Sequence, residues 1–245
     1  MVSASTMRRF QKHERKCAGS ELAEDHGAAV EGRTRYPAMV QHPSLVDRIL
    51  KSGHHNAKIG RLAIKSRWAG MPIYTLTLEE RATCPRTCLQ WRTCYGNKMH
   101  FSTRVMHGPF LEARLQEELA ELQEDHPDGF IVRLHVLGDF YSAAYVHRWA
   151  EWLCDYPALH AYGYTAWPRD SEIGALLETM SQARWDRFAI RFSGCQGERA
   201  TEVVERPADA APGAVVCPAQ VGRTDCCGTC GLCWQTRRPI AFLEH

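Results

Sequence analysis

From Met71 onward the apolar positions of the chain fall into two alternating periods. Over 73–78, 130–137, 160–165 and 188–193, apolar and polar residues alternate with a step of two, as in a half-buried strand. Between these runs the step lengthens to three and four. Leu111, Leu115, Leu119 and Leu122 form one stripe over 109–123. Tyr145, Val146, Trp149, Trp152 and Leu153 form a second after a Ser142 N-cap, and Ile173, Leu176, Leu177 and Met180 a third, capped by Asp170 or Ser171. His126-Pro127-Asp128-Gly129 stops the first helix and Pro157 the second. Two shorter strands are predicted at 214–217 and 239–243.

Strands alternating with helices of this length predict an α/β fold with a mainly parallel sheet. Residues 71–245 are too few for an eight-unit barrel, which takes about 250. The expectation is an open or partial (β/α) barrel of five or six strands, with a cysteine-rich C-terminal metal-binding segment over 214–236. Before it, 1–40 lacks any sustained apolar period and predicts a disordered or loosely attached polar extension. Its basic start, with Arg8, Arg9, Lys12, Arg15 and Lys16, reads as a solvated tail. The lead-in over 41–70 predicts a short helix capped by Ser44, then a basic stretch with His54, His55, Lys58, Arg61, Lys65 and Arg67. The stretch 194–213, rich in Gly, Ala, Pro and charge, predicts a mobile connection.

Strand parity assigns a polar face as well as an apolar one. Tyr74, Leu76 and Leu78 separate from Thr75 and Thr77; Phe130, Val132, Leu134 and Val136 from Arg133, His135 and Asp139; Phe188, Ile190 and Phe192 from Arg191 and Ser193. If the crossover helices cover the apolar face, the polar one lines a shared concave side; an open sheet facing water is the alternative. Three successive strands also end on a glycine beside a polar group: Gly138-Asp139, Gly163-Tyr164-Thr165 and Arg191-Phe192-Ser193-Gly194. Carboxyl ends of such strands are where α/β enzymes place ligands. Gly138 would admit a ligand to the backbone, and Asp139 could accept from an ammonium or hydroxyl, although a strand-ending turn explains the same pair. Arg191 suits a carboxylate or phosphate, or a salt bridge inside the fold.

Charge and cysteine usage narrow the chemistry. A net charge of +2 gives no bulk signal for nucleic acid. No apolar run approaches the roughly 20 residues of a membrane span, and the N-terminus lacks a signal-peptide core, so a cytoplasmic protein is expected. Eleven cysteines in such a chain point to metal binding or catalysis before disulfides. Cys84, Cys88 and Cys94, spaced C-x3-C-x5-C just after the first strand, can meet one soft metal centre and leave a coordination position free. Cys217, Cys226, Cys227, Cys230 and Cys233 form the second group. In it Cys227-x2-Cys230-x2-Cys233 resembles a ligand run of a zinc ribbon or ferredoxin-type cluster, with Cys217 or Cys226 completing four. Cys17, Cys154 and Cys195 stand alone, Cys154 as a packing residue at a helix end.

Through GMPIYTLTLEERATCPRTC, CYGN, RLHVLGDFYS, GYT, FAIRFS, CPAQ and CGTCGLCW, the chain from Asn56 to His245 resembles proteins of the mycobacteriophage gene product 88 family. More distantly it resembles radical S-adenosylmethionine enzymes. There, a loop after the first strand gives three cysteines to a [4Fe-4S] cluster whose open iron chelates S-adenosylmethionine, and a Gly-Gly-Glu-like motif ends the second strand. The resemblance implies that Cys84, Cys88 and Cys94 hold such a cluster, and that Gly138 and Asp139 meet the cofactor's amino group. His135, Thr165, Arg191 and Ser193 complete the candidate cofactor-binding set. The chain departs from the usual C-x3-C-x2-C spacing, places Tyr95 after the third cysteine and has Asp for Glu. A reductant and a small-molecule or macromolecular substrate are implied, with a second iron-sulfur cluster or zinc at the C-terminal cysteines and no membrane partner. The alternative is a non-catalytic, zinc-stabilised module that binds nucleic acid or a protein.

Overall fold

The computed structural model of the protein describes residues 21–244, so the basic start and Cys17 lie outside the described residues. A short helix, α1 (Gly27–Glu31), and two short strands, β1 (Val40–Gln41) and β2 (Lys51–Ser52), precede the alternating region. Then come β3 (Ile73–Thr75), β4 (Arg104–Val105), α2 (Pro109–Asp125), β5 (Phe130–Leu134), α3 (Ala143–Asp155), β6 (Leu159–Thr165), α4 (Glu172–Ala183) and β7 (Phe188–Ser193). The chain closes with β8 (Ala200–Val204), β9 (Val215–Val216), α5 (Cys227–Cys230), α6 (Leu232–Gln235) and β10 (Ile240–Leu243).

Eight strands share one sheet in the order β2-β3-β5-β6-β7-β8-β10-β9. Every pairing is parallel except β2 with β3. The sheet is thus α/β and mostly parallel as expected, but it has eight strands where five or six were predicted, and its outer strands do not pair with each other. The extra strands lie where the sequence looked least regular. The predicted mobile connection over 194–213 contains β8, which joins β7 by only its first two residues and lies alongside β10 for four. The lead-in contributes β2. The predicted helix after Ser44 is absent, because the amides of Ile49 and Leu50 donate to the Glu118 carboxylate of α2 at 2.7 and 2.8 Å and need no helical carbonyl.

Helices α2, α3 and α4 cover one face, where Leu111, Leu115, Trp149 and Leu177 meet Phe130, Val132, Ile190 and Phe192. Ser142 and Ser171 cap α3 and α4 by accepting from the amides of Tyr145 and Gly174, as their sequence positions predict. The other face is not the polar concavity that parity suggested. A second apolar cluster lies there, made by Ile73, Ile131, Tyr162 and Ala189 of the sheet with Trp68 and Trp234 from the segments that cross it. The Trp68 and Trp234 rings stack at 5.3 Å, and burying each such side chain contributes about 3 kcal/mol. Cys154, expected to pack, is exposed on α3. Among the described residues no helix is long and apolar enough to cross a membrane.

Candidate metal centre

The loop between β3 and β4 carries Cys84, Cys88 and Cys94 and is held by charges buried at its two ends. Arg104 donates from Nε and Nη2 to both oxygens of Glu80, at 2.8 and 3.1 Å. Its remaining donors bind the carbonyls of Met99, Ser102 and Gly96. Thr34 Oγ1 donates to the same Glu80 at 2.7 Å. Arg81, at φ +64°, binds the Trp91 carbonyl at 2.9 Å and Asn97 Oδ1 at 2.5 Å, while Asn97 Nδ2 returns to the Arg92 carbonyl. Tight turns begin at the second and third cysteines: Trp91 N–H bonds the Cys88 carbonyl and Asn97 N–H that of Cys94.

Residues 21–40, expected to be loose, close over this loop. Leu22, Ala28 and Ala29 are buried against Trp91. Arg86 donates to the carbonyls of Ala29 and Val30 at 3.1 and 2.9 Å, and the Trp91 indole donates to Ala29 at 3.0 Å. The correction has a simple cause. The segment is too polar to make a core of its own, yet its main-chain carbonyls and a few small apolar side chains complete another element.

The loop lies across the carboxyl ends of β5, β6 and β7. Gly138 sits at φ +84°, and a Cβ there would fall 2.6 Å from Thr83 Oγ1 and 2.7 Å from Leu78 Cβ, so glycine permits the close approach of the loop base to the end of β5. Asp139 N–H donates to Thr83 Oγ1 at 3.0 Å. Its carboxylate accepts from Phe140 N–H at 2.8 Å and from Ala166 N–H, just beyond β6, at 2.7 Å. Burial pushes Asp139 up to about 7, against the pull of these amides and of Thr165. Farther along, Leu89 lies against Gly194, the residue after β7.

All three thiols of the loop are free and half-buried. Burial raises each above the ordinary thiol value, Cys94 to about 11. For Cys84 the negative charges of Asp139 and Cys94 add to the effect of burial. Such thiols stay protonated in an empty site, and a soft cation would replace those protons. As the side chains stand, no group of three or more His, Cys, Asp or Glu among the described residues is gathered tightly enough to hold a metal. The donor chemistry nevertheless fits a thiophilic centre: three thiols sit on one braced loop that offers no fourth cysteine.

The cofactor candidates divide in space. Gly138, Asp139 and Thr165 meet at the loop base, and Ser193 is exposed at the rim, 3.2 Å from Thr201 Oγ1. Asp139, however, spends both oxygens on main-chain amides and acts as a brace between strands, so no free carboxylate faces a cofactor amine. His135 lies past the last residue of β5, on the helix side under α3, where parity no longer applies. Its Nε2 is 3.3 Å from Tyr145 Oη, and burial holds it neutral, lowered to about 3. Arg191 is fully buried and donates to the carbonyls of Cys233, Arg238 and Thr236, so it holds the C-terminal segment where an anionic ligand was expected. Sequence reasoning missed Glu80, Arg81, Asn97 and Arg104. The charged run Glu79-Glu80-Arg81 directly before the cysteines was the available signal.

The C-terminal cysteines form a separate place. Helix α5 is pinned to the lead-in by Cys227 N–H to the Lys58 carbonyl and Gly228 N–H to that of Ile59, both at 2.9 Å. Cys217, Cys227, Cys230 and Cys233 line one cavity there. Compared with family models, curated proteins and solved structures, the chain matches none.

Proposed function

We propose that Cys84, Cys88 and Cys94 hold an iron-sulfur cluster with one iron open, and that the protein is a radical-type enzyme that reductively cleaves S-adenosylmethionine. One observation carries the reading. A single loop after β3 sets three half-buried thiols across the carboxyl ends of three successive parallel strands, where α/β folds bind ligands. In this reading the open sheet is a partial (β/α) barrel and that edge is its mouth. When bound, a four-iron cluster would supply the electron that reductive cleavage of S-adenosylmethionine needs. The chain's own residues do the positioning: Glu80, Arg81, Asn97 and Arg104 fix the loop, and Thr83 and Asp139 tie its base to β5 and β6. A reducing cytoplasm, which keeps thiols free, is the compartment this chemistry requires. The likeness to the mycobacteriophage gene product 88 proteins and to radical enzymes belongs to the same reading.

Anaerobic reconstitution with iron and sulfide tests it. The protein should turn brown and, with dithionite and S-adenosylmethionine, release methionine and 5′-deoxyadenosine; Cys→Ala at 84, 88 or 94 should abolish both. Protein that binds iron and sulfide through these cysteines but never cleaves S-adenosylmethionine leaves an iron-sulfur protein without radical chemistry. Zinc alone at these cysteines returns the chain to a zinc-stabilised module for nucleic acid or a protein partner.

A further inference from the structure

Five cysteines crowd the C-terminal segment, and their surroundings separate one from the other four. Cys217, Cys227, Cys230 and Cys233 line a single cavity floored by Trp234 and Ile240. Cys226 does not line it. Its sulfur is turned toward the lead-in, where a Cβ on Gly60 would lie 2.6 Å away, and it lies 3.7 Å from Thr229 Oγ1. On the sheet side of the cavity Tyr164 Oη donates to Cys233 Sγ at 2.9 Å. Tyr162 is fully buried, and its hydroxyl faces Cys227 without a hydrogen bond of normal geometry. A poorly bonded buried hydroxyl is unfavourable, and a thiolate at Cys227 would be a stronger acceptor for it than a thiol.

Two cations complete the surroundings. The Arg133 guanidinium lies over the rings of Tyr162 and Tyr164, at 5.5 and 4.6 Å. The Lys58 ammonium stands within the field of Cys227, Cys217 and Cys233 and over the Tyr95 ring at 5.4 Å. Arg133 and Lys58 repel each other there, and negative charge among the sulfurs would offset that repulsion. Four thiolates around zinc, or around an oxidised four-iron cluster, leave about two negative charges, which two cations match.

We propose that Cys217, Cys227, Cys230 and Cys233 are the ligands of a closed, four-thiolate metal centre for zinc or an iron-sulfur cluster. Tyr162 and Tyr164 donate hydrogen bonds to its sulfurs, Lys58 and Arg133 are its countercharges, and Cys226 stands outside it. The inference is independent of the loop at Cys84. With four protein ligands the centre has no open position, so its work is to fix α5 and α6 against the sheet that β10 helps to form.

The test uses the full chain with Cys84, Cys88 and Cys94 all changed to alanine, so that failure of the loop reading cannot mimic failure here. This protein should carry about one zinc, or about four irons with matching sulfide, per chain; which of the two is found identifies the metal. On that background Cys226→Ala should keep the full complement, while Cys217→Ala and Cys227→Ala should each lose it. Cobalt(II) titration of the triple variant gives a second reading that needs no further cysteine change. It should produce a four-thiolate tetrahedral spectrum, and Tyr164→Phe should move its sulfur-to-metal band while leaving the stoichiometry. Absence of any thiophilic metal and of the cobalt spectrum overturns the proposal. Loss of metal in Cys226→Ala with retention in Cys217→Ala overturns the ligand assignment.

Discussion

Arg104 and Glu80 form a two-pronged ion pair with both side chains out of water, and the pair fastens the end of the loop that carries Cys94. The guanidinium reaches the carboxylate at 2.8 and 3.1 Å and also the Gly96 carbonyl, while a Cβ on Gly96 would fall 2.7 Å from Glu80 Oε1. Removing one partner strands the other's charge in the interior, at a cost of about 3–5 kcal/mol. Arg104→Met should therefore lower unfolding free energy by that amount in urea titration, and the surviving folded protein should bind less iron on reconstitution. A loss below about 1 kcal/mol would mean that Glu80 finds water or another donor.

Gly138→Ala tests the approach of the loop to β5. Two costs combine there, a left-handed backbone at φ +84° and a methyl group 2.6 Å from Thr83 Oγ1. Gly197→Ala is the control, since it shares the backbone cost at φ +87° but meets nothing within 4 Å. The control should lose about 1 kcal/mol, and Gly138→Ala about 2–4 kcal/mol together with metal binding at the loop. Equal losses in the two variants would show that Thr83 simply moves aside.

Stability against pH should follow two buried groups with opposite signs. His135 has a folded pKa lowered to about 3, chiefly by burial. The unfolded chain takes that proton near pH ~6.5, so this contribution is whole above 6.5 and is lost as pH falls toward 3. Asp139, raised to about 7 by burial, keeps its proton longer when folded. Its contribution is whole below pH ~3.9 and is lost as pH rises toward 7. Urea midpoints measured across pH 3–8 without added metal should lose their acid decline in His135→Gln and their decline toward neutrality in Asp139→Asn. Profiles that match the parent protein in both variants would remove the assignment.

Local periodicity made the layered part of the fold legible. The stripes of α2, α3 and α4, the caps at Ser142 and Ser171 and the span of β7 all follow from spacing, because each depends on neighbours within a turn or a pleat. The faces were less legible. Arg133 and Arg191 do share a side, but the alternation says nothing of what arrives to cover it, and Trp234 and the carbonyls that bind Arg191 come from some forty residues later. His135 was misplaced because β5 ends at Leu134. Strand β8 was hidden by charge and by Arg199 at φ +59°, since it is recruited by β10 across a long separation. At the cysteine loop the clustering of three thiols was visible in the spacing. The brace was not, because Glu80 and Arg104 are partners only once the loop is closed.

The N-terminal clasp yields the last prediction. Residues 21–36 contact the cysteine loop at Arg86, Trp91 and Arg92, and Thr34 binds Glu79 and Glu80 at its base. These contacts bury little apolar surface, so the clasp should open locally before the sheet unfolds. A chain beginning at residue 41 should keep the thermal transition of the sheet core but lose about 1–3 kcal/mol, because Glu79 and Glu80 lose buried hydrogen-bond donors. Its loop thiols should also react faster. Under metal-free, native conditions, alkylation of Cys84, Cys88 and Cys94 should accelerate about tenfold or more, while that of Cys217 and Cys233 should not change, since a local opening of ~1.4 kcal/mol is a factor of ten in exposure. Equal alkylation rates at the loop in the two chains would show that the loop holds itself, with Glu80 and Arg104 sufficient and the clasp incidental.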